Sequence, residues 1–339
     1  MNGSMKQWMR AVPSVLAAAA GCWLVQRRRR YPLERVYGLA SWMVLPRWII
    51  SGPVAKMGNR FLRWLPLAKP PAGVSRTQQW IPAANGKAMA LTIYDGNGGA
   101  SAPCLVYFHG GAFLFEAASY LHRNLAELAK LAKCKIIMVQ YRTAERCAFP
   151  GPFFDARAAV WYVWQHSTAL GIDPTRLALG GDSAGAALAA AVALWARDET
   201  ELLPCLQMLL YPVLDARMAT ASIRRYSGAP VWNARLNRRM WRFYLRDGVP
   251  LSRGFASPAE AGDHSHLPQA YVEVAAYDCL RDEGIAYAER LQESGVVVQL
   301  EQPPGTFHAF DAFRRAPMRQ QMLLKRAQAL REAFGREEL

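Results

Sequence analysis

The sequence predicts an α/β protein in which a mostly parallel β-sheet is covered on both faces by helices and carries a helical cap. Three observations lead there. From about residue 100 onward, short and almost wholly apolar segments alternate with amphipathic segments of helical period, the pattern of strands buried on both faces. One strand-to-helix junction reads Gly181-Asp182-Ser183-Ala184-Gly185, a sharp turn that presents a serine at its tip. The chain has 339 residues, 52% hydrophobic and 20% charged, which suits one large α/β domain with an attached cap or two ordinary domains and excludes a disordered chain.

The elements follow in chain order. Residues 1–75 form a basic, Trp-rich segment. Through Arg76 the chain holds 13 Lys and Arg against Glu34 alone, a net +12 out of the total +15, so the remaining body is nearly neutral. Trp8, Trp23, Trp42, Trp48 and Trp64 are interleaved with the apolar runs 39–45 and 48–54. Cations mixed with indoles suit an anionic membrane surface. A nucleic-acid partner is excluded, because a phosphate backbone offers these apolar runs no burial. Residues 11–25 carry no charge; as a helix they span about 22 Å, short of the roughly 30 Å hydrocarbon core, and so predict an interfacial or buried helix. Lys6, Arg10 and Ala19-Ala20-Gly21-Cys22 resemble an export leader with a lipoprotein cleavage box. That box lacks its leucine, however, and Arg27 to Arg30 hold this end in the cytoplasm. The reading is therefore cytoplasmic, with peripheral attachment at the inner membrane surface through residues 1–75, in preference to export.

Residues 76–339 form the main domain, which carries the Ser183 turn. Thr77–Pro82 and Lys87–Tyr94 flank Asn85-Gly86 and predict an antiparallel hairpin. Cys104–Phe108 predicts a central strand, followed by the loop His109-Gly110-Gly111-Ala112-Phe113. Next come a helix over Ser119–Lys133, a strand over Lys135–Gln140, a helix over Phe153–His166, the strand and helix around Ser183, and a strand over Leu206–Tyr211. The alternation breaks between about residues 215 and 258, a stretch rich in Arg, Trp and Met with one amphipathic helix, Leu236–Leu245. This stretch is predicted to join the N-terminal segment as a lid. Alternation resumes with a strand over Gln269–Tyr277, a helix over Asp282–Glu293, a strand over Val296–Gln302 and a helix over Pro317–Phe334. The six cysteines, Cys22, Cys104, Cys134, Cys147, Cys205 and Cys279, lack Cys-x-x-Cys spacing and predict reduced, buried thiols and no metal site.

The elbow serine needs a base, an acid and oxyanion donors. In such sheets the chain order is Ser, acid, His. Among the histidines after Ser183, His264 and His266 precede a strand, at the wrong end of the sheet. His308 follows the last strand through Pro303-Pro304-Gly305-Thr306-Phe307. Asp278 leaves the preceding strand directly, while Asp282 and Glu283 look like first-turn charges suited to a helix dipole. Backbone N–H groups of His109-Gly110-Gly111-Ala112 and of Ala184, at a helix N-terminus, are the candidate oxyanion donors. Gly181 and Gly185 keep side chains out of the elbow, and Asp182 reads as support rather than as a triad member.

With these residues in hand, the chain resembles the hormone-sensitive-lipase-like family of α/β-hydrolases, bacterial carboxylesterases and acetyl hydrolases among them. The matching stretches are His109-Gly110-Gly111-Ala112-Phe113, Tyr141-Arg142-Thr143-Ala144-Glu145, Gly181-Asp182-Ser183-Ala184-Gly185, Asp278-Cys279-Leu280-Arg281-Asp282-Glu283-Gly284 and His308-Ala309-Phe310. The resemblance implies an eight-stranded α/β-hydrolase sheet with a helical cap and hydrolysis of short- to medium-chain acyl esters. It also implies Gly111, Ala112 and Ala184 as oxyanion donors, with Gly110 shaping the loop and His109 in its support, and no cofactor. Ala112, Thr143, Cys279 and Ala309 depart from the family's usual Gly, Leu, Pro and Gly. Two other functions stay open beside the soluble esterase: a lipase or deacetylase at a membrane surface, and a non-catalytic ligand receptor on the same fold. The natural ester and the oligomeric state, a homodimer included, are not specified by these patterns.

Overall fold

The computed structural model describes residues 20–38, 40, 43–96, 99–335. Among these residues eight strands form one sheet in the order β1-β2-β4-β3-β5-β6-β7-β8. The edge hairpin pairs β1 (Ser75–Pro82) with β2 (Ala88–Asp95) from Ser75↔Asp95 to Pro82↔Ala88. Its Asn85-Gly86 turn closes with the Ala83 N–H on the Lys87 carbonyl at 2.7 Å, Gly86 supplying the positive φ of 76° that the turn requires. Polar Arg76, Gln78 and Gln79, with Pro82 at the end, suit an edge strand. β2 runs antiparallel to β4 (Lys135–Val139); β3 (Ala102–Phe108) and every later neighbour pair in parallel. All seven residues of β3 are buried, as its unbroken apolar run dictates.

Helices cover both faces. α3 (Ser119–Ala132) ends at Lys133 in the left-handed conformation, and α4 (Gly151–Gln165) starts with proline in its first turn. The turn α5 (Ser167–Leu170) leads into β5 (Ile172–Asp182). This strand begins four residues earlier than its apolar run predicts. A register irregularity between Ala102 and Cys104 lets β3 pair first with Ile172 and then with Leu177, carrying the turn-like Asp173-Pro174 inside the strand. α6 (Ala184–Glu199) follows the elbow, and its Ala-rich stretch is buried from Ala184 to Ala196, so that small side chains let it lie close on the sheet. Beyond β6 (Gln207–Leu210), β7 (Ala270–Glu273) and β8 (Val298–Glu301) are each only four residues long, shorter than predicted. After Glu273 the chain leaves the ladder toward residue 278, with the Tyr277 N–H on the Thr306 carbonyl at 2.9 Å. α10 (Arg281–Glu293) and α11 (Pro317–Ala333) complete the cover.

The stretch from 215 to 258 holds α7 (Ala221–Arg225), α8 (Ala234–Tyr244) and α9 (Arg253–Ala256) and, among its residues, no strand. The Asn233 side chain caps α8 by accepting from the Arg235 and Leu236 N–H groups. The N-terminal segment clasps this insertion. The Arg27 guanidinium donates to the Gly228 carbonyl at 3.1 Å and that of Arg30 to the Arg225 carbonyl at 2.8 Å, while the Val231 N–H donates to the Met43 carbonyl at 2.8 Å. Residues 20–30 are helical (α1) and continue through the four arginines rather than ending near Val25. The earlier part of the predicted 11–25 helix, the leader-like start, Trp8 and Trp42 lie outside the described residues. No described helix is long and apolar enough to cross a membrane. Of the cysteines, Cys104, Cys134 and Cys279 are buried and Cys147 and Cys205 partly so, but Cys22 is exposed; it sits on the mostly solvent-facing α1 and has no core to enter.

Candidate active site

β5 ends at Asp182 and α6 begins at Ala184, so Ser183 is the single residue between them, with φ 54° and ψ −118°. That strained backbone is the signature of a nucleophile elbow. It requires the flanking glycines: a Cβ on Gly185 would strike the carbonyls of Phe108 and His109, and one on Gly181 would strike the backbone of Gly185. The elbow is held by the Ser183 N–H on the Leu210 carbonyl at 2.8 Å and by the Val213 N–H on the Ser183 carbonyl at 3.1 Å.

The chain from β8 returns to this point. The His308 Nε2 lies 2.9 Å from the Ser183 Oγ, and its Nδ1 lies 2.6 Å from Asp278 Oδ2. The second oxygen of Asp278 accepts the Leu280 N–H at 3.0 Å. All three residues are buried. The Asp278 carboxylate fixes the tautomer with the proton on Nδ1, leaving Nε2 to accept from the serine hydroxyl. Asp282 and Glu283 do start α10, but they serve the scaffold. Asp282 accepts the Ser222 N–H at 2.7 Å, and Glu283, pushed well above the usual carboxyl range by burial, accepts the Leu214 N–H at 2.8 Å. His264 packs on Tyr287 with its Nε2 at the Pro258 carbonyl and makes no contact with this cluster; none is seen for His266 either.

The loop after β3 runs beside the elbow. Gly111 adopts φ 121°, a conformation reserved for glycine, and Ala112 and Phe113 follow at 58° and 59°. A Cβ at Gly111 would also strike the Phe115 carbonyl. Among the described residues the N–H groups of Gly111, Ala112 and Ala184 donate to no protein acceptor. Three sets of contacts brace this loop. Asp182 Oδ1 accepts the Gly110 N–H at 2.9 Å and the Tyr107 hydroxyl at 3.0 Å; burial, and then the charge of Asp311, push its carboxyl up to about 6. The Tyr141 hydroxyl donates to the His109 carbonyl at 2.7 Å, with its ring stacked on the imidazole of His109 at 4.4 Å. The Ala144 N–H donates to the Phe113 carbonyl at 2.6 Å. His109 itself, its pKa lowered by burial, points its Nδ1 at the Gly110 carbonyl.

Several contributors escape sequence reasoning. Asp155 on α4 takes the Arg142 guanidinium through both oxygens at 2.7 Å and so anchors the 141–145 stretch. Tyr211 lays its ring edge-on against His308 at 5.0 Å and donates its hydroxyl to Asp311 at 2.8 Å. Arg326 of α11 joins Asp311 at 2.8 Å to Glu273 at 2.6 Å in the buried interior. Trp232, from the insertion, lies over His308 with ring centres 5.8 Å apart, and Phe113 stacks on Tyr244 at 3.8 Å. No local spacing marks these residues, because their partners come from distant parts of the chain.

A cavity of about 710 Å³ is lined by Leu65, Leu67, Trp80, Met89, Tyr141 and neighbouring residues. Its lining includes none of Ser183, Asp278 and His308.

Comparisons with known proteins agree with this architecture. The sequence profile of the alpha/beta hydrolase fold family matches residues 105–312. An arylesterase of Saccharolobus solfataricus is 36% identical over 207 residues, 61% of this chain and 67% of the relative. Esterase LipI of Mycobacterium tuberculosis is 33% identical over 213 residues, 62% of this chain and 66% of the relative, and an ethyl acetate hydrolase of Pseudomonas putida is 35% identical over 209 residues, 61% and 65%. Among solved structures, esterase LipW of Mycobacterium marinum superposes with a TM-score of 0.80 at 28% identity, covering 89% of this chain and 96% of the other. A bacterial heroin esterase superposes with a TM-score of 0.79 at 31% identity, covering 90% and 99%.

Proposed function

The chain belongs to the alpha/beta hydrolase family, in its hormone-sensitive-lipase-like branch, where it groups with carboxylic ester hydrolases, and from that premise we propose that it is a serine carboxylesterase acting on short- to medium-chain acyl esters through an acyl-enzyme. The observation that carries the reading is the run of contacts Ser183 Oγ, His308 and Asp278 at 2.9 and 2.6 Å. The His308 Nε2 takes the proton of the serine hydroxyl as Oγ attacks the ester carbonyl, and Asp278 holds the imidazole in place and balances its positive charge. The N–H groups of Gly111, Ala112 and Ala184 receive the negative charge that develops on the carbonyl oxygen. As the intermediate collapses, the His308 proton passes to the departing alcohol oxygen. His308 then deprotonates a water whose oxygen attacks the acyl carbon; the acid is released and Ser183 recovers its proton.

The preference for small acyl groups is inferred from the aromatic rings around His308 and the 109–113 loop. Trp232 closes over His308, and the Phe113–Tyr244 stack fills space beside the loop. The names of the relatives, an arylesterase and an ethyl acetate hydrolase, point the same way. The test is a series of p-nitrophenyl esters of increasing chain length together with fluorophosphonate labelling. Turnover is expected for acetate and butyrate and is expected to fall by roughly 10⁴-fold or more in Ser183→Ala, with labelling lost. Undiminished turnover in that variant would refute the assignment. A folded wild-type protein that neither turns over nor labels would instead be a receptor on this fold.

A further inference from the structure

The surface N-terminal to the sheet differs from the rest of the molecule. Of fifteen large hydrophobic residues exposed among those described, eleven fall between Trp23 and Leu67. The densest group is on α2 (Gly52–Trp64). Met57, Phe61 and Trp64 are 69%, 64% and 81% exposed and recur at the i, i+4, i+7 spacing that lines one face of a helix. Leu65 and Leu67, just past the C-terminal end of α2, are exposed too and line a cavity together with exposed Trp80 of β1. The opposite face of α2 is fixed. Ala55 and Asn59 are buried, and the Asn59 amide donates to the Leu114 carbonyl at 2.9 Å while accepting the Glu116 N–H at 2.9 Å. The outward stripe is therefore held in place on a rigid support.

Cations run alongside it. Lys56, Arg60 and Arg63 each precede an exposed apolar residue by one position, placing a basic stripe about 100° around the helix. Lys56 and Arg60 make no ion pair among the described residues, whereas Arg63 is tied to Glu116. Between this stripe and the 145–146 loop lies a 340 Å³ cleft lined by Lys56, Asn59, Arg60, Arg63, Glu145 and Arg146, four cations to one acid. We propose that α2 is a membrane-docking helix: Met57, Phe61 and Trp64 enter the headgroup layer of an anionic phospholipid bilayer, and the cleft beside Lys56 and Arg60 seats a headgroup phosphate. Charge decides the occupant. A second copy of this chain meeting α2 across a two-fold axis sets the same basic stripe against itself, whereas an anionic bilayer complements both stripes together. The inference does not rest on ester hydrolysis, so either reading can fail alone.

The experiment is co-sedimentation of the full chain with vesicles of phosphatidylcholine, with and without phosphatidylglycerol, at low and high salt. The wild type is expected to bind the anionic vesicles, to bind less as salt rises, and to leave the neutral ones largely free. Lys56→Gln/Arg60→Gln is expected to lose about fivefold per cation, and Phe61→Ser/Trp64→Ser about tenfold or more. Both variants should turn over p-nitrophenyl butyrate in solution like the wild type, which controls for folding. Equal binding to neutral and anionic vesicles overturns the proposal. So does wild-type binding by both variants, which places the contact elsewhere in the chain. Light scattering that shows a dimer dissolved by Phe61→Ser/Trp64→Ser also overturns it, and assigns the face to a second copy.

Discussion

Replacing Asp182 by Asn isolates what a buried carboxylate does between the elbow and the oxyanion loop. Asn keeps an acceptor oxygen for the Gly110 N–H and the Tyr107 hydroxyl, the two groups on Oδ1, but it cannot ionise. In the folded protein, burial raises the Asp182 carboxyl from 3.8 to about 6. Between those two pH values the native state holds a proton that the unfolded chain has released, so stability falls as pH rises through the window. The shift of about 2 units corresponds to about 3 kcal/mol, fully lost above about pH 6. The stability of Asp182→Asn relative to the wild type should thus improve by about 2.5 kcal/mol from pH 4 to pH 8, whatever constant cost the new amide nitrogen carries. Urea unfolding followed by Trp fluorescence across that range reads the difference directly. Activity should move the other way: a neutral acceptor holds Gly110 about 1 kcal/mol less well, so kcat/KM for p-nitrophenyl butyrate should drop about fivefold at pH 8. A difference curve flat with pH would refute the argument that this carboxyl is ionised at cost in the native state.

Two further substitutions address neighbouring parts of the site. Arg326→Gln strands Glu273 and Asp311 as buried carboxylates without their cation. It should cost about 3–5 kcal/mol in urea unfolding, and kcat should fall with it because the Tyr211 hydroxyl bonds Asp311 while its ring abuts His308; a loss under about 1 kcal/mol would show that the cluster relaxes or takes in water. Trp232→Ala removes the ring over His308, and in the p-nitrophenyl ester series the preferred acyl chain should lengthen; an unchanged preference would place the limit on acyl size elsewhere.

The parts of this protein that are legible in its sequence are those where local geometry and chemistry coincide. The elbow must have glycine at 181 and 185 because backbone passes within contact distance on both sides. That His308 and Asp278 would lie near Ser183 was legible because a parallel sheet delivers residues that follow its strands to one end, and the three are in hydrogen-bond contact there. Strand extents were less legible. β7 stops after four residues although the apolar Val274-Ala275-Ala276 follows, since it can extend only as far as its neighbours pair with it, and β8 is as short as the partner it pairs with. The pairs that brace the site were not legible at all. Asp182 with Tyr107, Asp155 with Arg142 and Arg326 with Glu273 are separated by 75, 13 and 53 residues; burial selects their partners, and burial is a property of the assembled fold.

The N-terminal charge shows why a composition-level observation needs geometry before it names a role. The +12 of residues 1–76 reads as a single basic surface, yet its cations are divided between two tasks. Arg27 and Arg30 reach across to donate to carbonyls of the insertion and so hold two parts of the cap together. Lys56 and Arg60 face outward without an acidic partner among the described residues, beside the exposed stripe of α2. The first pair is held by hydrogen bonds to neutral carbonyls and should respond weakly to salt, whereas the second offers charge to an anionic partner and is screened over about 10 Å at 0.1 M. Salt should therefore release the protein from an anionic surface well before it loosens the cap, and the two uses of one charged segment separate along a single salt titration read by vesicle binding and by Trp fluorescence.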